Sequence, residues 1–224
     1  QVDPSKALSI VTYTGFSGSS GSSTVGHGMG VAPAMIIHKS RTRDSGWWTQ
    51  VPNLLTNAGY FLDLSGTGAQ TDLNSYGTMN VPTTSVFTIN GVDGIGGESA
   101  NYVAYCFANI EGYCKVGSYA ANATTTNNAY IYTGFRPAFV LVKGIVSGAS
   151  WTLIDNKRDG FNPTPESLEP NSAGGSYTSA APFADLLSTG FRVYTTNAVM
   201  GSGSYDPYVY LAFAENPFKY ATAR

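Results

Sequence analysis

The sequence predicts an all-β protein made of two tandem, related antiparallel β-sandwich units of jelly-roll-like character, with internal pseudo-symmetry. Three observations carry that expectation. First, the chain repeats itself. Tyr102-Val103-Ala104-Tyr105-Cys106-Phe107-Ala108 returns as Tyr208-Val209-Tyr210-Leu211-Ala212-Phe213-Ala214, 106 positions on. Pro33-Ala34-Met35-Ile36-Ile37-His38-Lys39 returns as Pro137-Ala138-Phe139-Val140-Leu141-Val142-Lys143, 104 positions on, and Trp48 meets Trp151 at a spacing of 103. Several matches in one order at nearly one spacing indicate a tandem duplication. Second, aromatic residues make up 13% of the chain, with 15 Tyr and 26 Gly, a composition that suits twisted strands joined by tight turns. Third, the apolar segments are short or alternate with a period of two, and no helical period is sustained.

The expected first unit covers residues 8–112. Residues 8–14 (LSIVTYT) have the β-branched content of a strand. The Gly/Ser-rich stretch 15–30 reads as a flexible hairpin tip. Residues 34–39 form an apolar run after Pro33, too short for a typical helix, and read as a buried strand. Residues 47–50 continue as a strand, and 51–73 read as turns with one helical turn. Residues 86–91 are a strand that ends in the Asn90-Gly91 turn signal. Residues 101–108 close the unit. Val103, Tyr105 and Phe107 fall on one face of that strand, and Tyr102, Ala104, Cys106 and Ala108 on the other. Both faces are apolar, as in a central strand covered on both sides.

The second unit, 113–219, repeats the plan. Residues 116–120 lead into a Thr/Asn-rich loop at 122–128. Strands are expected at 129–133, 139–143, 151–155, 190–194 and 208–214. Residues 156–182 carry Pro163, Pro165, Pro170 and Pro182 and read as one long irregular stretch, uncommon without a function or a packed structure of its own.

Composition narrows the partners. Charged residues are 12% of the chain, against about 25% in ordinary soluble proteins. A net charge of −2 makes no electrostatic case for nucleic acid. No run of about 18 apolar residues predicts a membrane span. So few charges weaken the usual protection of sheet edges, which points to self-association. Gln1 is not an initiator Met, so the chain is expected to start at a processed or cut end. Cys106 and Cys114 make no disulfide framework. Cys106 falls where the second copy has Ala212, as a small packing residue would.

Candidate chemistry is sparse. His27 and His38 are the only histidines, one in the Gly-rich loop and one in a strand, and no Ser–His–Asp pairing stands out. Asp63, Asp155, Asp159, Glu166 and Glu169 could supply a carboxylate pair, but they read first as loop residues that form turns and ion pairs. Asp155, Asp159 and Asn162 could offer oxygens to calcium but match no EF-hand spacing. We therefore assign no catalytic residue, metal or cofactor. Adjacent Trp47 and Trp48 must point to opposite faces of a strand. Trp48, matched with Trp151, is expected in the core, and Trp47 at the surface, on a sugar face or a subunit interface. The candidate ligand or interface contacts are Trp47, Trp48, Asp155 and Arg158.

Several segments carry a family likeness: Gly134-Phe135-Arg136-Pro137-Ala138-Phe139, Trp151-Thr152-Leu153-Ile154-Asp155-Asn156-Lys157-Arg158, Leu168-Glu169-Pro170-Asn171, Leu187-Ser188-Thr189-Gly190-Phe191 and Ala214-Glu215-Asn216-Pro217-Phe218. The series resembles a repeated β-domain of unknown function found in virion proteins of bacteriophages, often marine, and commonly tail-fibre or tail-associated. The likeness covers most of 116–219 and is weaker over 11–110, where nothing after Trp48-Thr49-Gln50 matches Asp155-Asn156-Lys157-Arg158. It implies a non-enzymatic structural protein at the virion surface, a natural C-terminus, and partners among copies of itself, other virion proteins and host-surface polysaccharide. A carbohydrate-binding adhesin, a capsid decoration protein and, further off, a polysaccharide depolymerase are the alternatives.

Overall fold

The computed structural model describes residues 7–124, 129–146, 148–179, 182–205 and 207–217. It is all-β, with several antiparallel sheets. The chain divides into two compact units, 1–109 and 110–224.

Unit 1 holds β1 (Leu8–Thr14), β2 (Ser22–Gly26), β3 (Met35–Ser40), β4 (Trp48–Gln50), β5 (Tyr60–Asp63), β6 (Thr71–Asp72), β7 (Val86–Asn90) and β8 (Asn101–Phe107). Its larger sheet has the order β1-β8-β3-β4-β5-β6, and β2 pairs with β7. A strand apolar on both faces belongs inside a sheet, and β8 lies between β1 and β3, with Leu8 and Met35 both opposite Phe107. Tyr102, Ala104 and Cys106 are fully buried. The small side chains let the core close tightly on this face: Ile36, Phe61, Ala104 and Cys106 of the larger sheet meet Phe87 and Ile89 of β7 in one cluster.

Asn90 ends β7 with its side chain inside that unit. Its amide donates to the carbonyls of Leu73 (2.8 Å) and Gly77 (3.3 Å), and its Oδ1 accepts the Val92 N–H at 3.3 Å. Truncation would leave the half-buried Gly77 carbonyl and the Val92 N–H without this partner and take one of two donors from the Leu73 carbonyl, which also accepts the Tyr76 N–H at 3.1 Å. Asn90→Ala is expected to cost about 2–3 kcal/mol, read as a lower urea midpoint; an unchanged midpoint would refute the clamp.

Unit 2 holds β9 (Cys114–Tyr119), β10 (Ala129–Tyr132), β11 (Pro137–Gly144), β12 (Thr152–Asp155), β13 (Glu166–Ser167), β14 (Tyr177–Thr178), β15 (Ala184–Leu187), β16 (Gly190–Val193) and β17 (Tyr208–Ala214). Its sheets have the orders β12-β11-β17-β9, β10-β16-β15 and β13-β14. The core cluster draws Val140, Val142, Ile154, Tyr208, Tyr210 and Ala212 from the first sheet, and Ile131, Ala184, Leu186, Phe191 and Val193 from the second.

The two larger sheets share a strand order. In unit 1 the first, last, third and fourth strands lie side by side as β1-β8-β3-β4, and in unit 2 the same positions give β9-β17-β11-β12. The registers agree as well. Met35 lies opposite Phe107 and Lys39 opposite Val103; Phe139 lies opposite Phe213 and Lys143 opposite Val209.

Four expectations are corrected. The stretch 15–30 is not a loose tip, because Ser22–Gly26 pairs with β7 along its whole length. A backbone ladder holds it, and its mostly exposed Ser/Thr side chains gave no apolar signal. Residues 51–73 hold one helical turn, closed by Leu55 N–H to Val51 O at 3.3 Å, but also β5 and β6, which were not expected there; a short 3-10 turn follows at Asn74–Tyr76. Residues 156–182 include the β13–β14 pair and a bridge from Leu168 to Leu153. Strand β15 escaped notice because Asp185 interrupts its apolar run; it forms a hairpin with β16 across Ser188-Thr189. The loop expected at 122–128 lies in part outside the described residues.

Candidate functional site

The β3–β4 hairpin sets the two tryptophans. His38 lies opposite Trp48, so Trp48 shares the inner face with His38 and packs against the core cluster. Its indole Nε1 is buried with no acceptor. Gly94 (φ 107°) backs the ring: a Cβ there would lie 2.7 Å from Trp48 Cδ1, so only glycine fits both the space and the backbone.

Trp47 points the other way. Its ring stacks on Tyr105 with centroids 6.3 Å apart, and Lys39 Nζ sits 5.6 Å from its centre. Ile10, 47% exposed, is the cross-strand partner of Tyr105. Trp47, Tyr105 and Ile10 thus form a partly exposed aromatic and apolar face with one cation held against it. Such a face can stack on a planar apolar ligand or anchor a partner.

The same position in unit 2 is buried. Ile36 pairs with Gln50, and Val140 with Ile154, so the ladder equates Trp47 with Trp151 and Trp48 with Thr152. Sequence identity alone pairs Trp48 with Trp151, one residue out of step. Trp151 is 1% exposed, and Leu141, Lys143, Val209 and Leu211 on that face are buried. Burial pushes the Lys143 ammonium down to about 8. One register position therefore serves a partly open face in unit 1 and a closed one in unit 2.

Asp155 and Arg158 meet at one end of the four-stranded sheet of unit 2. Asp155 Oδ1 accepts the N–H groups of Lys157 (2.8 Å) and Arg158 (3.0 Å), and its Oδ2 pairs with Arg158 Nε at 2.9 Å. Asn156 donates its backbone N–H to Ala138 and its side-chain amide to Glu215 Oε1 at 2.7 Å. Glu215 also pairs with Arg136 at 3.5 Å. Asp155, Asn156 and Arg158 line a shallow, open depression of about 550 Å³ together with Ala138, Phe139 and Lys157. Asn156 Oδ1 is buried there with no partner.

Asp155 thus holds the turn after β12. Asp155→Ala would release two N–H groups and an ion pair, at a cost of about 1–2 kcal/mol. For a chain of this size that is a fall in Tm of about 2–8 °C. A melt unchanged within 1 °C would refute the structural role.

Two of the other candidate carboxylates also hold backbone. Asp63 Oδ1 accepts the N–H of Trp47 (3.1 Å) and of Ser65 (2.9 Å), and Asp159 Oδ2 accepts that of Glu166 at 3.1 Å. Among the described residues no three His, Cys, Asp or Glu gather as metal ligands.

The histidines are interior. His27 Nδ1 accepts the Met29 N–H at 3.2 Å, so its Nε2 carries the proton and donates to Thr83 O at 3.1 Å. His38 is fully buried. Tyr13 donates its hydroxyl hydrogen to Ile95 O (2.6 Å), so the contact of 3.1 Å from His38 runs from Nδ1–H to Tyr13 Oη. His38 Nε2 is left buried without a donor. Burial lowers the imidazole to about 3. Cys106 and Cys114 are free and buried, and burial pushes both thiols up to about 12, which leaves them protonated and unreactive at neutral pH.

The structure keeps Trp47 and Trp48 in unit 1 and Asp155 and Arg158 in unit 2; it joins the latter pair and sets the tryptophans on opposite faces. Sequence reasoning missed Arg136, Asn156 and Glu215 as members of the Asp155 network. Their signal lay in the segments flanking β11, β12 and β17, but only the sheet brings those strand ends side by side.

The chain belongs to the family described as a domain of unknown function, DUF7483, which matches residues 1–217 and so spans both units. No curated protein and no solved structure matches it.

Proposed function

We propose that this protein is a non-enzymatic structural component of a bacteriophage virion, displayed on the particle surface in a tail fibre or a similar part. In this reading the units arose by internal duplication. Each is a β-sandwich, and copies assemble with one another and with other virion proteins. The observation that carries the reading is the shared strand order and register of the two larger sheets. It combines with the virion-protein likeness of the segments around Arg136, Asp155 and Glu215. A low charge content, 12%, favours burial of surface between subunits.

Particle association tests it. Antibodies raised against the purified chain should label intact, purified virions of the encoding phage by immunogold, at symmetric positions. Label confined to the soluble fraction of infected cells would overturn the proposal.

A second reading, a carbohydrate-binding adhesin, is favoured by the stacked Trp47–Tyr105 pair beside Lys39. It predicts saturable binding to host cells that soluble surface polysaccharide abolishes and that leaves the glycan at full length.

A further inference from the structure

The outer face of the β10-β16-β15 sheet is unlike the rest of the surface. Along β10, Ile131 turns into the core while Tyr130 and Tyr132 turn out, 48% and 67% exposed. Residues two apart on a strand are about 7 Å apart on the same face, so the two rings lie one after the other along the strand. The rows that cross the sheet are Tyr130–Arg192–Asp185 and Tyr132–Gly190–Leu187. Gly190 leaves the flank of the Tyr132 ring uncovered. A side chain there is barred, since a Cβ would lie 2.0 Å from Ile131 O. Tyr130 Oη is within 2.7 Å of Thr189 Oγ1, which fixes the ring from its polar end. Tyr194 donates to Asp185 Oδ2 at 2.5 Å, and Arg192 Nε is buried with no acceptor.

We infer that this face is a carbohydrate platform, on which Tyr130 and Tyr132 stack against successive pyranose rings of a polysaccharide while Arg192 and Asp185 meet its hydroxyl groups. The chemistry is complementary. The apolar face of a sugar ring covers an aromatic ring, and its hydroxyls both donate and accept, which suits the remaining polar groups of Arg192 and Asp185, themselves joined through Tyr194. Size argues against a protein partner. Three strands of four residues span roughly 150–200 Å² at normal spacings, against about 800 Å² per partner in a stable protein interface. The inference deepens the adhesin reading, at a different face of the chain, and rests on the proposed virion role only for the source of the glycan. Antibody labelling of particles tests that function separately.

The test uses the full chain on a printed array of bacterial surface polysaccharides, followed by calorimetric titration of the strongest binder. The variants are Tyr132→Ala, the Tyr130→Ala/Tyr132→Ala pair, the corresponding Phe pair and Trp47→Ala. Support would be saturable binding weakened about tenfold or more by Tyr132→Ala, abolished by the double Ala variant, and kept within about threefold by the Phe pair. The rings are exposed, so thermal melts should not change. No glycan bound by the wild type overturns the platform. Undiminished binding by the double Ala variant overturns it too, and loss in Trp47→Ala would move the site to unit 1. A shift from oligomer to monomer in the double Ala variant, with no glycan bound, would make the face a contact between copies instead.

Discussion

Trp151→Ala is expected to destabilise unit 2 by about 3–5 kcal/mol, whereas Trp47→Ala, at the same register position of unit 1, should cost only about 1 kcal/mol. Trp151 is 1% exposed, so truncation leaves a cavity the surrounding side chains fill only in part. Trp47 gives up one ring stack and one cation contact on a partly open face, where water replaces what is lost. The readout is specific to each unit. The chain has three tryptophans. Without Trp151, the remaining two report on unit 1 alone. Urea titrations of Trp151→Ala followed by circular dichroism should therefore show an early transition that tryptophan fluorescence does not see. Equal losses in the two variants would contradict the difference in burial.

Acid should weaken unit 1 through His38. Its pKa falls from 6.5 to about 3 on folding, with burial as the cause. The groups that face it are the Tyr13 hydroxyl and the Phe61 and Phe87 rings, none of which stabilises a positive charge by opposite charge. Between those two pKa values the unfolded chain binds a proton that the folded chain refuses. Stability therefore rises with pH across that window and is lost as pH falls from 6.5 toward 3. Above the window the residue is neutral in both states and adds no slope. By pH 4.5 the loss is about 2–3 kcal/mol. His38→Met, close in size and without a titrating group, should remove this part of the acid sensitivity. Near pH 7.5 it should stay within about 2 kcal/mol of the wild type, since it loses only the Nδ1–H to Tyr13 bond. The check is the difference between wild-type and variant unfolding free energies at the two pH values. Parallel loss in both proteins would show that His38 does not carry the effect.

Much of the architecture was readable because each element had a local cause. β1, β7 and β8 announce themselves by β-branched and aromatic residues, and β8 and β17 by apolar residues on both faces. β2 did not, because Ser22, Ser23 and Thr24 are held by backbone pairing with β7, which leaves no mark on side-chain pattern. β15 was hidden by Asp185, whose partner is the Tyr194 hydroxyl beyond the end of the hairpin. The candidate residues were legible in kind but not in company. Adjacent tryptophans on a strand must face opposite ways, and Trp47 and Trp48 do. Asp155 was readable as a turn former with Arg158 beside it, yet its neighbours Asn156 and Glu215 come together only where β12, β11 and β17 end side by side.

By itself, then, the sequence determined the class, the repeated strand motif and the central position of β8 and β17. These follow from a period of two and from apolar side chains, properties each segment carries within itself. Tertiary structure alone decided which tryptophan matches Trp151, that His38 is buried without a partner for Nε2, and that Tyr130 and Tyr132 turn outward beside Arg192. Those facts depend on ladder register and on what packs against each face, and both are settled by residues far away along the chain.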